Sequence, residues 1–161
     1  MNEIDGANLD PQFKYDVARR PGGENLQLCF ACGTCTAGCP VSEVDPEFNP
    51  RKIIRQVVLG MRREVLSSPV IWRCVQCYSC TAKCPQNVRF REILRALREM
   101  AVEEGYVDSA VFARVDRLGR LAQTLRRNLA EALVSDPARF EEMCRQAEAL
   151  APAAAAAADK G

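Results

Sequence analysis

The chain has 161 residues, 48% hydrophobic and 27% charged, so it is long enough for one compact domain with an ordered core and too apolar for disorder. The formal net charge is +1, and nine cysteines stand against no histidine. The usual general base of hydrolases and of serine or cysteine triads is therefore missing, and thiolate is the soft ligand on offer.

Residues 1–24 read as an acidic N-terminal segment. It opens Met-Asn-Glu-Ile-Asp-Gly, with neither the basic nor the apolar region of an export signal, and Arg19-Arg20 runs into Pro21-Gly22-Gly23 rather than an apolar stretch. No apolar run approaches the roughly 18 residues that cross a bilayer. The expected compartment is the cytoplasm, where disulfides are disfavoured. Charge is segregated: residues 1–49 carry three basic and eight acidic side chains, residues 50–98 eleven and two, and residues 99–161 eight and eleven. With 6% aromatics and no basic motif rich in stacking side chains, nucleic-acid binding is not expected. The basic middle instead suits bound anionic groups and acidic partners.

A first cysteine motif occupies Cys29, Cys32, Cys35 and Cys39, closed by Pro40. Asn49 is a good N-cap and Pro50 suits the first helical turn. Ile53, Ile54, Val57, Val58, Met61 and Val65 then recur at helical spacing, predicting one helix from Pro50 to about Leu66, stopped by Ser67-Ser68-Pro69. Val70-Ile71-Trp72 leads into a second motif, Cys74, Cys77, Cys80 and Cys84 with Pro85. After Asn87 a helix is predicted with Phe90, Ile93, Leu94, Leu97 and Met100 on one face, Arg89, Arg91, Arg95 and Arg98 on others, and an end near Gly105.

From Ser109 to Val134, apolar residues at 111, 115, 118, 122, 125, 129 and 132 alternate steps of four and three. This pattern suits a docking helix or a helix packed on its own domain. Asp136-Pro137 starts a last helix through about Leu150, and the alanine-rich residues 151–161 are expected to fray. Cys144, outside both motifs, reads as a small apolar residue.

Shifting the chain by 45 residues superposes the two cysteine motifs, and Thr36, Ala37 and Pro40 fall on Thr81, Ala82 and Pro85. Each copy reads CxxCxxCxxxCP, the spacing that holds cubane iron–sulfur clusters in bacterial two-cluster ferredoxins. Two intervening residues let consecutive thiolates wrap one cubane from a tight loop. In those ferredoxins the cysteine before proline ligates the other cluster. That pairing gives two 4Fe-4S clusters, one held by Cys29, Cys32, Cys35 and Cys84, the other by Cys74, Cys77, Cys80 and Cys39. A zinc tetrathiolate is the alternative, although structural zinc typically takes two separated CxxC pairs. Some of Arg51, Lys52, Arg55, Arg73, Lys83, Arg89 and Arg91, near the motifs in sequence, are expected to raise cluster potentials.

The wider pattern adds Glu24-Asn25-Leu26-Gln27-Leu28 before Cys29, Asn49-Pro50-Arg51-Lys52-Ile53-Ile54 after the first motif, Val65-Leu66-Ser67-Ser68 and Trp72-Arg73-Cys74 before the second, and Val88 with Ile93-Leu94-Arg95-Ala96-Leu97-Arg98 after it. Over roughly residues 10–105 this resembles the iron–sulfur C subunit of heterodisulfide reductase, together with its relatives in heterodisulfide-reductase-like complexes. The resemblance implies an all-α fold. An α-helical ferredoxin domain would span residues 25–105, with both clusters between short helices, followed by C-terminal docking helices over 106–150 and a flexible tail. It also implies an electron-transfer role between two larger components of the complex. One is the flavin- and cluster-rich A subunit; the other is the B subunit, whose CCG motifs perform the thiol–disulfide chemistry. This sequence has no adjacent cysteine pair, no GxGxxG loop and no Walker motif, so no catalytic residue is assigned to it. Its alanine- and arginine-rich composition hints at bacterial sulfur oxidation. Three other readings stay open: the iron–sulfur subunit of a quinone-linked, membrane-associated dehydrogenase, a free ferredoxin-like shuttle, and a zinc-stapled interaction module.

Overall fold

In the computed structural model, residues 8–150 are described; the predicted tail at 151–161 lies outside them. The described residues are helical, with no strand among them, so the all-α class expected from the sequence holds. The chain divides into two compact units, Met1–Ser109 and Ala110–Gly161.

In the first unit helix α1 spans Phe13–Ala18, α2 Thr34–Ala37, α3 Pro40–Val44, α4 Pro50–Val58, α5 Arg62–Leu66, α6 Ser79–Ala82 and α7 Phe90–Glu103. Of these, α1, α4, α5 and α7 form the core, and α2, α3 and α6 frame the cysteines. Helix α4 starts where the sequence places it: Pro50 opens it, and the Asn49 side chain accepts a 3.0 Å hydrogen bond from the Lys52 amide. Ile53, Ile54 and Val57 of α4 and Phe90, Ile93, Leu94, Leu97 and Met100 of α7 are buried in one apolar cluster. Each such side chain contributes about 1.5–3 kcal/mol on burial, and that core holds the cysteine loops in place.

The single helix expected from Pro50 to about Leu66 is two. Helix α4 ends in a Schellman motif, with Gly60 in the left-handed region at φ +82°. The Gly60 amide donates to the Val57 carbonyl at 3.0 Å and the Met61 amide to the Gln56 carbonyl at 3.0 Å. The Gly60 carbonyl in turn accepts from the Asp10 amide at 2.8 Å, fastening the N-terminal segment to the break. Helix α7 ends in the same way at Gly105, near the predicted position.

The N-terminal segment supplies core. Phe13 and Val17, one turn apart on α1, are fully buried. Arg62 binds this segment further, reaching Asp10 at 2.8 Å, Asp16 at 2.7 Å and Glu104 at 2.7 Å. Of the arginines expected on the other faces of α7, Arg98 is buried: it is 7% exposed and its Nε donates to the Ile71 carbonyl at 2.8 Å.

The second unit pairs α8, Val111–Ser135, with α9, Pro137–Leu150. Asp136 caps α9, its side chain accepting from the Arg139 amide at 3.1 Å. Of the alternating apolar stripe, Ala132 is buried while Leu118 and Leu125 are exposed. Cys144 is half-buried. No helix among the described residues is long and apolar enough to cross a membrane.

Candidate metal centres

The two cysteine motifs fold alike. In the first loop Ala31 and Gly33 take left-handed backbone conformations at φ 58° and 85°; 45 residues on, Gln76 and Tyr78 do the same at 56° and 62°. Each pair brackets the second cysteine of its motif, Cys32 or Cys77. For Ala31, Gln76 and Tyr78 this conformation costs on the order of 1–3 kcal/mol each. Three residues without a glycine's freedom thus hold an unfavourable conformation that turns successive cysteines toward one side. Amides follow the thiols: Gln76 N–H lies 3.4 Å from Cys74 Sγ, and Val88 N–H lies 3.3 Å from Cys84 Sγ. Thr34 Oγ1 and Cys32 Sγ share a hydrogen bond at 3.3 Å.

Short helices close each loop and throw the fourth cysteine away from the first three. Cys39 stands at the N-cap of α3, directly before Pro40. Cys84 precedes the Pro85 turn that leads into α7. The Asn25 side chain donates to the Asn87 carbonyl at 3.1 Å, tying the entry of the first motif to the exit of the second. Thr36 donates to the Asn49 side chain at 3.0 Å and so joins α2 to the cap of α4.

Two cavities result. One is lined by Cys29, Cys32, Cys35 and Cys84. The other is lined by Cys74, Cys77, Cys80 and Cys39. Each therefore takes three cysteines from one motif and the fourth from the other. Four thiols line each cavity, and a cubane takes one thiolate at each of four irons. Phe90 is common to both walls; it is 1% exposed and meets Phe48 edge-on at 6.3 Å between ring centres.

Burial pushes the thiols of Cys35, Cys74 and Cys80 above the ordinary range, whereas the Thr34 hydroxyl pulls the exposed Cys32 below it. Desolvated thiols in a confined space carry negative charge only against a nearby cation. That is the donor chemistry of an iron–sulfur core, and the eight thiols, their amide donors and the two cavities fit one such group apiece.

The cations flagged by the sequence separate into distinct environments. Arg51 lines the first cavity and is itself exposed. Arg91 lines the second; it lies 4.9 Å over the Tyr78 ring, donates to Gln76 Oε1 at 2.7 Å and pairs with Glu92 at 3.1 Å. Arg73 is engaged elsewhere, by Asp45 and Glu47 at 2.8 Å each. Lys83 lies against Gly38, where an added Cβ would approach its Cδ to 2.9 Å.

Arg98 is the residue that sequence reasoning missed. Desolvation lowers its pKa, no carboxylate among the described residues pairs with it, and the Cys74 thiol feels its charge as the cation favouring thiolate. The signal was present in the spacing: position 98 falls one helical repeat after Leu94 and two after Phe90, on the apolar stripe of α7.

Residues 25–88 match the family model described as a 4Fe-4S dicluster domain. The chain is 36% identical over 109 residues to the C subunit of the H(2):CoB-CoM heterodisulfide,ferredoxin reductase of Methanothermobacter thermautotrophicus, covering 68% of this chain and 58% of that one. It is 42% identical over 105 residues to the C2 subunit of the H(2)/formate:CoB-CoM heterodisulfide,ferredoxin reductase of Methanococcus maripaludis, covering 65% and 53%. A protein of Archaeoglobus profundus described as similar to the heterodisulfide reductase C subunit is 36% identical over 94 residues, covering 58% and 50%. The chain thus spans little more than half the length of these curated relatives.

Proposed function

We propose that this chain, whose residues 25–88 match a 4Fe-4S dicluster domain and which is similar to heterodisulfide reductase C subunits, is the electron-relay component of a heterodisulfide-reductase-like complex. Cys29, Cys32, Cys35 and Cys84 would hold one 4Fe-4S cluster, and Cys74, Cys77, Cys80 and Cys39 the second. The observation that carries this is the composition of the two cavities, each with four thiols and each completed by the other motif's last cysteine.

Bound clusters of this kind supply reversible one-electron chemistry. The chain's own contribution is to hold the thiolates at fixed spacing, to supply amide and hydroxyl donors to their sulfurs, and to keep both sites against one shared wall. Phe30 at the first loop and Val75 at the equivalent position of the second are 60% and 54% exposed, so each loop presents an apolar side chain beside its cysteines. Such rims suit docked redox partners. Those partners would be the flavin- and cluster-rich component and the CCG-motif component of the complex, in a cytoplasmic hetero-oligomer. Electrons enter and leave singly, and no substrate bond is made or broken on this chain.

Anaerobic purification of the native complex tests the proposal. Iron and inorganic sulfide for two clusters per chain, paramagnetic signals after dithionite reduction, and co-purification of a CCG-motif protein with a flavoprotein are the expected results. Colourless, zinc-loaded protein would overturn the cluster assignment, and a co-purifying membrane anchor would move the chain to a quinone-linked dehydrogenase.

A further inference from the structure

The two sites are unequal in their cations. Around the first, Arg51 lines the cavity but is exposed, and Lys52 and Arg55 on the same helix are exposed too, so solvent screens their charge. Beside the second, Arg98 is only 7% exposed, and its guanidinium lies 5.4 Å over the Trp72 ring. Its Nε is held by the carbonyl of Ile71, in the 3-10 turn Pro69–Trp72 that runs straight into Cys74. Its Nη2 is buried with no hydrogen-bond partner.

A buried guanidinium without a carboxylate is costly to desolvate unless negative charge stands near it. The half-buried arginines Arg62, Arg20 and Arg91 each have a carboxylate. The charge-bearing groups that act on Arg98 are the Cys74 thiol, which the turn Pro69–Trp72 runs into, and Arg91, which is already balanced by Glu92.

The geometry points to Arg98 as the internal counter-charge of the second site, a positioning residue that raises the reduction potential of the cluster held by Cys74, Cys77, Cys80 and Cys39 above that of its neighbour. A fixed positive charge favours the state with one more electron, and burial keeps it unscreened. The cluster at the second loop therefore takes the first electron and the chain acquires a downhill direction, from the Cys32 loop toward the Cys77 loop. This rests on the two-cluster reading above.

The experiment is an anaerobic redox titration of the full chain followed by paramagnetic resonance, with iron and sulfide measured on every sample. Wild-type protein is expected to show two resolved midpoints. Arg98→Met and Arg98→Gln should lower the higher midpoint and leave the lower one in place, and Arg98→Lys should restore most of the difference. Coincident midpoints in the wild type overturn the inference without any variant. It is also overturned by a neutral variant with full iron and unmoved midpoints, or by Arg98→Lys shifting the potential as far as Arg98→Met, which is the behaviour of a purely structural arginine. Wild-type protein lacking iron and sulfide would sink the two-cluster reading itself, a separate result.

Discussion

Cys39 and Cys84 trade places: Cys84 lines the cavity of the Cys29–Cys35 loop and Cys39 that of the Cys74–Cys80 loop. Each is separated from its own motif by a short helix, α2 or α6, so the exchange stitches the two repeats into one body. The consequence is a non-additive mutational pattern. Cys84→Ser should remove about half of the iron, and adding Cys32→Ser should remove little more, because both act on one site. Combining Cys84→Ser with Cys77→Ser should empty both. Iron and sulfide analysis of the three variants decides it; extra loss from the Cys32 pair, with none from the Cys77 pair, would show that each motif keeps its own fourth ligand.

Phe90 divides the two cavities, and its ring packs edge-on against Phe48. Phe90→Ala should destabilise the holo-protein by about 3–5 kcal/mol, since it removes a fully buried ring and merges two spaces. Phe90→Leu should cost less. Denaturant unfolding compares the two; equal stability of Phe90→Ala and wild type would mean that bound clusters, not the ring, support this wall.

What could be read in the chain was what is local and repeated. The cysteine repeat, the Asn49-Pro50 start, the α7 face from Phe90 to Met100 and the Asp136 cap each sit within a few residues and have their own short-range physics. The break at Gly60 escaped because Ile53, Val57, Met61 and Val65 keep helical spacing across it, so periodicity continued where the helix did not. Phe13 and Val17 escaped because two apolar residues in an acidic stretch give no period, yet the core needs that one short face. Arg98 escaped because a charged side chain interrupts the apolar period that Phe90 and Leu94 set on α7. In each case the deciding partner, Asp10, Arg62 or Ile71, is distant in sequence.

Gly60 provides a direct stability test. Its φ of +82° is strained for any other residue, and an added Cβ would fall 2.4 Å from the Asp10 carbonyl oxygen. Gly60→Ala should lower stability by more than about 1 kcal/mol. Gly119, within α8, leaves open space where a Cβ would stand, so Gly119→Ala should strengthen its helix by about 0.5–1 kcal/mol. Opposite shifts in thermal unfolding followed by circular dichroism are expected, and a shift of the same sign at both positions would count against the close approach of residue 10.

Arg73 stands directly before Cys74, yet it makes two carboxylate contacts, to Asp45 and Glu47. Its charge is already answered, so Arg73→Gln should leave both cluster midpoints unmoved, in contrast to the neutral Arg98 variants. Its effect should appear in acid instead. The hydrogen bond from Arg73 holds the Asp45 carboxyl below its ordinary pKa. A carboxyl whose folded pKa is depressed stabilises the fold fully above the unfolded value of about 3.9 and loses that contribution as pH falls through the lower folded value. Wild-type protein should therefore lose stability more steeply on acidification below about pH 4 than Arg73→Gln does, while the two follow the same course at neutral pH apart from a constant offset. Urea unfolding across that range reads the difference, and parallel curves for the two proteins would show that the pairing contributes nothing in solution.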